Sequence, residues 1–149
     1  GGLMTSKQKK ELDKLFSLVI RERDDYTCQK CGTRNKHVQC AHIFSRSNLS
    51  VRWEMINGIT LCYYCHLNWC HRQPVEWTEW IQNYLGKDKW DTLVVYRNSK
   101  RKIDYKQKRS ELKKIIEGFK TYNKIKQEFE DELGFLINDN NKKKGDLND

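Results

Sequence analysis

Apolar residues recur at helical spacing in the first part of the chain. Between residues 5 and 23 they stand three and four positions apart, at Leu12, Leu15, Phe16, Val19 and Ile20. On a helix of ~3.6 residues per turn this spacing makes one apolar stripe, which is typical of a helix packed on a core. The pattern predicts an amphipathic helix over residues 5–23, with its lysines turned outward.

The next segment predicts two short strands and then a helix. Val38, Cys40 and His42 alternate with Gln39 and Ala41, which indicates a half-buried strand over residues 37–43. A loop over residues 44–57 and a second strand over residues 58–61 follow. From residue 62 to about 72 no Gly or Pro interrupts a helix. The predicted order is therefore strand, loop, strand, helix.

The second half of the chain is predicted to be helical. Pro74 suits a first helical position and Gly86 a helix end, and between them lies an apolar, largely aromatic stripe that favours packing over ligand binding: Trp77, Trp80, Ile81, Tyr84 and Leu85. A short helix is predicted around residues 90–94, a long basic one over about 103–122 and a weaker one around 125–136. Residues 138–149 contain almost no apolar side chain and are predicted to be disordered.

These elements define the expected fold class and its parts. We expect an α+β fold, mostly helical, in which a small two-strand core carries an N-terminal helix and a C-terminal helical extension. The predicted parts are the N-terminal helix (5–23), the core segment (24–73), the helical extension (74–137) and the tail (138–149). A chain of 149 residues is within the ~100–200 that a single domain commonly organises.

Charge points to a polyanionic partner. Lys and Arg number 29 against 20 Asp and Glu, a net charge of +9, and residues 97–114 hold nine basic residues against two acidic ones. Such a run predicts a polyanionic partner such as a nucleic acid, although a solvated helix face is the alternative. The residues predicted to bind nucleic acid here are Lys100, Arg101, Lys102, Lys108 and Arg109.

No segment resembles a signal peptide, and the longest apolar run is far below the ~18 residues of a spanning helix. We therefore expect a soluble, cytoplasmic protein.

Four of the six cysteines form two C-x-x-C pairs, Cys28/Cys31 and Cys62/Cys65. In an intracellular protein such pairs indicate Zn²⁺ ligands, whereas three disulfides would be the alternative in a secreted chain. The pairs predict a structural zinc that closes the whole two-strand segment.

Within this segment the residues carry a family resemblance. Ala41-His42-Ile43, Asn57 and the run Leu61-Cys62-Tyr63-Tyr64-Cys65-His66 resemble the H…N…LCxxCH pattern of HNH (ββα-metal) endonucleases, over about residues 24–72. His42 precedes Asn57 by 15 residues and Asn57 precedes His66 by nine, which is also similar to colicin nuclease domains. The run of Arg46, Ser47, Asn48 and Arg52 after His42 resembles phage HNH proteins.

The resemblance implies a catalytic role for three residues. His42 would be the general base, which its ordinary pKa of ~6.5 suits. Asn57 would bridge the loop backbone and fix the base, and His66 would bind one catalytic divalent cation, Mg²⁺ or Mn²⁺, with Ni²⁺ or Zn²⁺ as alternatives. Arg46 and Arg52 would clamp phosphate. The other interpretations are a core histidine for His42, a turn residue for Asn57, a zinc ligand for His66 and solvated loop residues for the two arginines.

One position departs from the family pattern. Members usually carry an Asp or His immediately before the base, as a second metal ligand, and here that position is Ala41. Cys70 lies four residues after His66, hence on the same helix face, and is a candidate replacement. A thiolate there would favour zinc or another soft-tolerant ion over magnesium. His71 is less well aimed on an α-helix unless the helix end brings it in, and Cys40 shares the strand face of His42. The site could instead rely on water and substrate phosphate, and the sequence does not choose among these alternatives.

The expected function is a metal-dependent DNA endonuclease that nicks or cuts both strands, with little or modest sequence specificity, in phage DNA processing or recombination. The main alternative is a zinc-stabilised nucleic-acid-binding module that has lost hydrolysis through Ala41. A ribonuclease acting through the same residues is the third interpretation, because phosphate chemistry alone does not distinguish the sugar.

Overall fold

The computed structural model describes residues 2–146 and divides the chain into two compact units, Gly1–Ile116 and Glu117–Asp149. The elements are α1 (Ser6–Arg23), β1 (Gln39–His42), a 3₁₀ turn (Met55–Asn57), β2 (Gly58–Leu61), a π-helix (Cys65–His71), α2 (Pro74–Leu85), α3 (Lys87–Asn98) and α4 (Tyr105–Asp146). The fold is α+β and mostly helical, with one two-stranded sheet among the described residues, which confirms the predicted class.

Helix α1 forms where the apolar stripe predicts it. Thr5 caps its first turn: the Thr5 hydroxyl accepts from the Gln8 N–H at 3.1 Å, and the Gln8 side chain accepts from the Thr5 N–H at 2.9 Å. Four residues of the predicted stripe are buried, namely Leu12, Phe16, Val19 and Ile20. At the C-terminal end the Arg23 guanidinium donates to the Gly58 carbonyl at 2.8 Å, which ties α1 to the start of β2.

Strands β1 and β2 pair antiparallel, with Ala41 opposite Ile59 and His42 opposite Gly58. The Gly58 backbone is extended, so no turn requires glycine at this position. The close approach of neighbouring side chains requires it instead. A Cβ built there would lie 2.6 Å from Ile20 Cγ1 and 2.8 Å from Phe16 Cζ. The sequence pair Asn57-Gly58 therefore serves the close approach of α1 to the sheet.

Gly58→Ala is expected to destabilise the protein by about 1–3 kcal/mol, because the added methyl overpacks the buried Ile20 and Phe16 side chains. Chemical denaturation followed by tryptophan fluorescence measures this. Gly118→Ala is the matched control, since a Cβ at Gly118 meets nothing within 4 Å and alanine favours helix. Equal stability of the Gly58→Ala and wild-type proteins would contradict the steric requirement.

Helix α2 covers the other side of the sheet. Pro74 stands in its first turn, and Gly86 follows it with a φ of 80°, a conformation that glycine adopts without strain. Trp77 and Ile81 are buried in one cluster with Ala41, Ile59 and Leu61, and Trp80 packs against this cluster from its edge. The aromatic stripe is thus part of the core.

Helix α4 differs from the prediction in three respects. It is one helix through Asp146, where the sequence pattern predicts two helices and a disordered tail from residue 138. Gly118 does not interrupt it, because the backbone there stays helical and no side chain crowds it. Residues 138–146, which the sequence predicts to be disordered, are helical. Lys143 and Asp139, one helical turn apart, form an ion pair at 2.8 Å. Residues 147–149 of the predicted tail lie outside the described residues.

The start of α4 also shifts. Asp104 accepts from the Gln107 N–H at 2.8 Å, the geometry of a helix cap, so the helix begins at Tyr105. Lys100, Arg101 and Lys102 lie on the link before the helix, outside both the predicted and the observed bounds of the helix. Among residues 2–146, no helix combines the length and the apolar character needed to cross a bilayer.

Candidate metal centres and active-site cleft

Four cysteines converge between the loop after α1 and the end of β2. The sulfur atoms of Cys28, Cys31, Cys62 and Cys65 lie within 4.8 Å of one another. Cys31 Sγ and Cys62 Sγ are 3.7 Å apart, far beyond the ~2.05 Å of a disulfide, and all six cysteines are free. A tetrahedron with ~2.3 Å Zn–S bonds has edges of ~3.8 Å. The cluster is therefore compatible with a structural metal such as zinc.

Local backbone geometry brings the first pair together. The Cys28 N–H donates to the Thr33 carbonyl at 2.8 Å, and the Gly32 N–H donates to the Cys28 carbonyl at 2.8 Å, which closes a tight turn. Gly32 has a φ of 79°, so the turn depends on glycine. Hydrogen bonding to Thr33 lowers the pKa of the Cys31 thiol to about 6, which favours the thiolate that a metal requires.

The second pair spans the junction between β2 and the helical segment. Cys62 directly follows β2, and its sulfur accepts from the Cys65 N–H at 3.4 Å. Cys65 is buried in the same cluster as Ile59, Leu61 and Trp77. The sulfur cluster is thus continuous with the hydrophobic core, and a metal there would hold the sheet and the helical segment as one body.

A second group of metal-binding side chains lies on the π-helix. The ligand atoms of His66, Cys70 and His71 lie within 4.8 Å of one another, and the two imidazole rings are 4.8 Å apart. On an α-helix of ~3.6 residues per turn, a side chain five positions on would point well away from the first. The wider π-helical turn, with hydrogen bonds from residue i to i+5, brings His71 to His66. The π-helix therefore makes a three-ligand group from His66, Cys70 and His71.

Gln39 on β1 orients the first of these ligands. Its side-chain oxygen lies 2.8 Å from His66 Nδ1. An amide oxygen only accepts, so Nδ1 carries the proton and the Nε2 lone pair is left for a metal. Metal-binding histidines commonly donate their second N–H to such an acceptor. Burial, followed by the proximity of His71 and His42, lowers the pKa of His66, which keeps the imidazole neutral as a ligand must be.

His42 stands at the end of β1, half-buried against Phe16 at a ring distance of 5.3 Å. Its Nε2 lies 3.0 Å from the Arg52 carbonyl, which can only accept, so Nε2 carries the proton and Nδ1 has the free lone pair. Burial lowers the pKa of His42 below the ordinary 6.5, although the Arg52 carbonyl and the Asp13 carboxylate oppose this. The imidazole is thus held in one tautomer and neutral near pH 7.

Asn57 is fully buried at the end of the 3₁₀ turn. Its side-chain oxygen accepts from the Phe44 N–H at 2.8 Å, and its amide donates to the Phe44 carbonyl at 3.1 Å. The Asn57 carbonyl also accepts from the Ile43 N–H at 2.8 Å. Asn57 therefore fastens both ends of the loop beside His42, which is more than a turn residue would do.

The histidines share a cleft of about 680 Å³. It is lined by residues of α1, β1, the following loop and the π-helix, among them His42, His66, His71, Arg21, Arg46 and Asp13. Of these charged side chains Asp13 is already engaged, because it accepts from Arg52 at 2.7 Å and 3.0 Å and from the Trp53 indole at 2.9 Å. The Arg46 side chain is 64% exposed, and its nitrogen approaches the Asp13 carboxylate no closer than 3.8 Å. The cleft is therefore suited to an anion.

The predicted phosphate-binding residues divide into exposed and engaged side chains. Arg52 is paired with Asp13 and its side chain is only 15% exposed, so it supports the loop that holds His42. Arg101 and Lys108 both contact Glu54, at 2.8 and 3.4 Å. Arg109 is paired with Glu11. Lys100 and Lys102 are exposed. The nucleic-acid role of all these residues stays a prediction.

Sequence reasoning did not assign Gln39, Arg21 or Asp13 to the site. A signal for two of them was available, because Asp13, Ser17 and Arg21 stand four residues apart and form a polar row beside the apolar stripe of α1. Gln39 carried no such signal, since its role depends on the π-helix.

No family model, curated protein or solved structure matches the chain. The class that the structure itself defines is an α+β protein with a four-cysteine cluster compatible with a structural metal such as zinc.

Proposed function

We propose that this protein is a metal-dependent DNA endonuclease of the HNH kind. The observation that carries the proposal is the shared cleft: a neutral histidine with a free Nδ1 lines one anion-accepting space with His66 and His71, which belong to a histidine-cysteine-histidine group suited to a metal. Phosphodiester hydrolysis requires these two components, a base for the attacking water and a cation for the charge that develops on phosphate.

His42 is the base in this proposal. Its Nδ1 takes a proton from water, and the Arg52 carbonyl stabilises the imidazolium that results, since Nε2–H continues to donate to it. Asn57 positions His42 indirectly, by fastening the backbone of Phe44, two residues further along the chain. Arg46 and Arg21, from the loop and from α1, hold the phosphate oxygens on the open side of the cleft.

The metal-binding residues in the proposal are His66, Cys70 and His71. When bound, the cation supplies Lewis-acid stabilisation of the phosphate and of the leaving 3′-oxygen. Cys70 and His71 then take the place of the strand-side ligand that Ala41 lacks. A thiolate with two imidazoles favours Zn²⁺, Ni²⁺ or a similar ion over Mg²⁺, which prefers oxygen ligands.

Plasmid cleavage tests this function. Purified protein, stripped of loosely bound metal, is incubated with supercoiled DNA in EDTA and then with Mg²⁺, Mn²⁺, Ni²⁺ or Zn²⁺. We expect nicked or linear product only with added metal, with a transition ion more effective than Mg²⁺, and loss of product in His66→Ala. His37→Ala is the matched control, because His37 is exposed and outside the cleft residues.

If the plasmid stays intact in every metal but the protein binds DNA, the protein is a nucleic-acid-binding module and not a nuclease. Faster cleavage of RNA than of DNA of the same sequence would instead assign a ribonuclease. In either case binding should weaken steeply as salt rises, because contacts with phosphate release counterions.

A further inference from the structure

An exposed apolar stripe runs along the second unit of the chain, within α4. We define it by five residues spaced three and four apart: Tyr122, Ile125, Phe129, Leu133 and Leu136. Their exposed fractions are 62%, 59%, 61%, 43% and 55%. At ~100° per residue all five fall within an arc of roughly 80°, so they make one continuous face. Large apolar patches of this kind mark interaction sites.

The stripe is symmetric about its central residue. Relative to Phe129 the other members stand at −7, −4, +4 and +7. If a second copy of this helix lies antiparallel with Phe129 opposite Phe129, Ile125 meets Leu133 and Tyr122 meets Leu136. A two-fold interface needs this property, since residue i must contact residue j while j contacts i.

Charges of both signs flank the stripe, which suits a second copy of the same helix. Lys126 and Glu128 precede Phe129 and Glu130 and Glu132 follow it, and Lys126 and Glu130 lie on one edge of the stripe, roughly 60° and 100° from Phe129. Two antiparallel copies centred on Phe129 bring Lys126 of each copy towards Glu130 of the other along that edge. A carboxylate cluster beside the stripe also disfavours an anionic lipid surface or DNA as the occupant.

The surface area is sufficient for a specific dimer. A fully buried aromatic side chain covers ~150–250 Å², so exposed fractions near one half leave about 100 Å² on each of the five residues. Two copies would bury roughly 1,000 Å², which is about what a specific interface needs. Helices also gain most of their stability from packing an apolar face. We propose that the protein forms an antiparallel homodimer through this stripe, independently of its activity.

Phe129→Asp in the full-length protein tests the stripe, because Phe129 lies on the proposed two-fold axis and is replaced twice per dimer. Sedimentation equilibrium should show a dimer for wild type and a dissociation constant raised by at least ~30-fold for the variant. Phe135→Asp is the matched control: Phe135 is 72% exposed but stands roughly 120° away around the helix, so dimerisation should be retained. A wild-type monomer at 100 µM or above, or equal loss in both variants, would overturn the proposal.

The orientation is tested separately with a photoreactive benzoylphenylalanine at position 125. Cross-linked peptides identified by mass spectrometry should join position 125 of one copy to the segment around Leu133 of the other. Cross-links centred on position 125 itself would indicate parallel helices and overturn the antiparallel arrangement.

Discussion

Replacing His42 with alanine is expected to reduce the rate of DNA cleavage by ~10²–10⁴-fold, the range that a positioned general base contributes. The reason is specific to this site. The Arg52 carbonyl, 3.0 Å from Nε2, fixes the ring so that Nδ1 is the basic atom, and no second imidazole among the described residues has the same partner. Single-turnover plasmid cleavage at saturating metal measures the rate of the chemical step.

His37→Ala provides the control for this variant, since it removes an imidazole of equal size from the surface. The metal content of His42→Ala should stay close to wild type, because the residue is not in the metal-binding group. Circular dichroism should show a folded variant despite the loss of the ring contact with Phe16 and of the hydrogen bond to the Arg52 carbonyl. A His42→Ala variant that cleaves DNA as fast as His37→Ala would remove His42 from the proposed mechanism.

The proposed base role of His42 also predicts the acid limb of the pH profile. Because burial lowers the pKa of His42, the neutral, proton-accepting form persists below the ordinary value of 6.5. The cleavage rate should therefore be nearly constant around neutral pH and fall only as the pH drops through the lowered pKa, where His42 becomes protonated. A limb with its midpoint above 6.5 in single-turnover measurements would contradict the assignment.

Periodicity predicted most of the elements. The stripe of α1, the alternation around Cys40 and the Pro74 and Gly86 boundaries of α2 each correspond to observed elements. These features succeed because they are local: one segment contains both the apolar face and the signals that start or end the element. The two C-x-x-C pairs succeed for a related reason, since each pair is a local turn that needs only the partner pair to complete a cluster.

The missed features depend on contacts between distant segments. Arg52 is paired with Asp13, 39 positions earlier, so a residue expected to clamp phosphate is engaged within the fold. The π-helix is a second case, because the residues from 62 to 72 predict a helix without indicating its hydrogen-bond pattern. This segment adopts the wider turn that brings His71 to His66. Sequence spacing alone, interpreted on an α-helix, aims His71 elsewhere.

Loss of the metal from the four-cysteine cluster is the second change with a large expected effect. Structural zinc in small peptides contributes an apparent ~10–16 kcal/mol, which is as large as the whole stability of a typical domain, ~5–15 kcal/mol. Here the cluster joins the turn after α1 to β2 and to the helical segment, and Cys28 and Cys65 are part of the core itself. Cys28→Ser is therefore expected to lose bound zinc and the cooperative unfolding transition together.

Near-ultraviolet circular dichroism measures the loss best, because Trp53 and Trp77 are buried in the first unit, whereas far-ultraviolet signal also reports the helix of the second unit. Elemental analysis should give about one zinc fewer per chain in Cys28→Ser than in wild type. Cys40→Ser is the matched control, since Cys40 lies outside the four-cysteine cluster, and it should retain zinc and the transition. A cooperative transition in metal-free Cys28→Ser would mean that packing of α1 and α2 on the sheet suffices to fold this unit, and that the four cysteines serve another purpose.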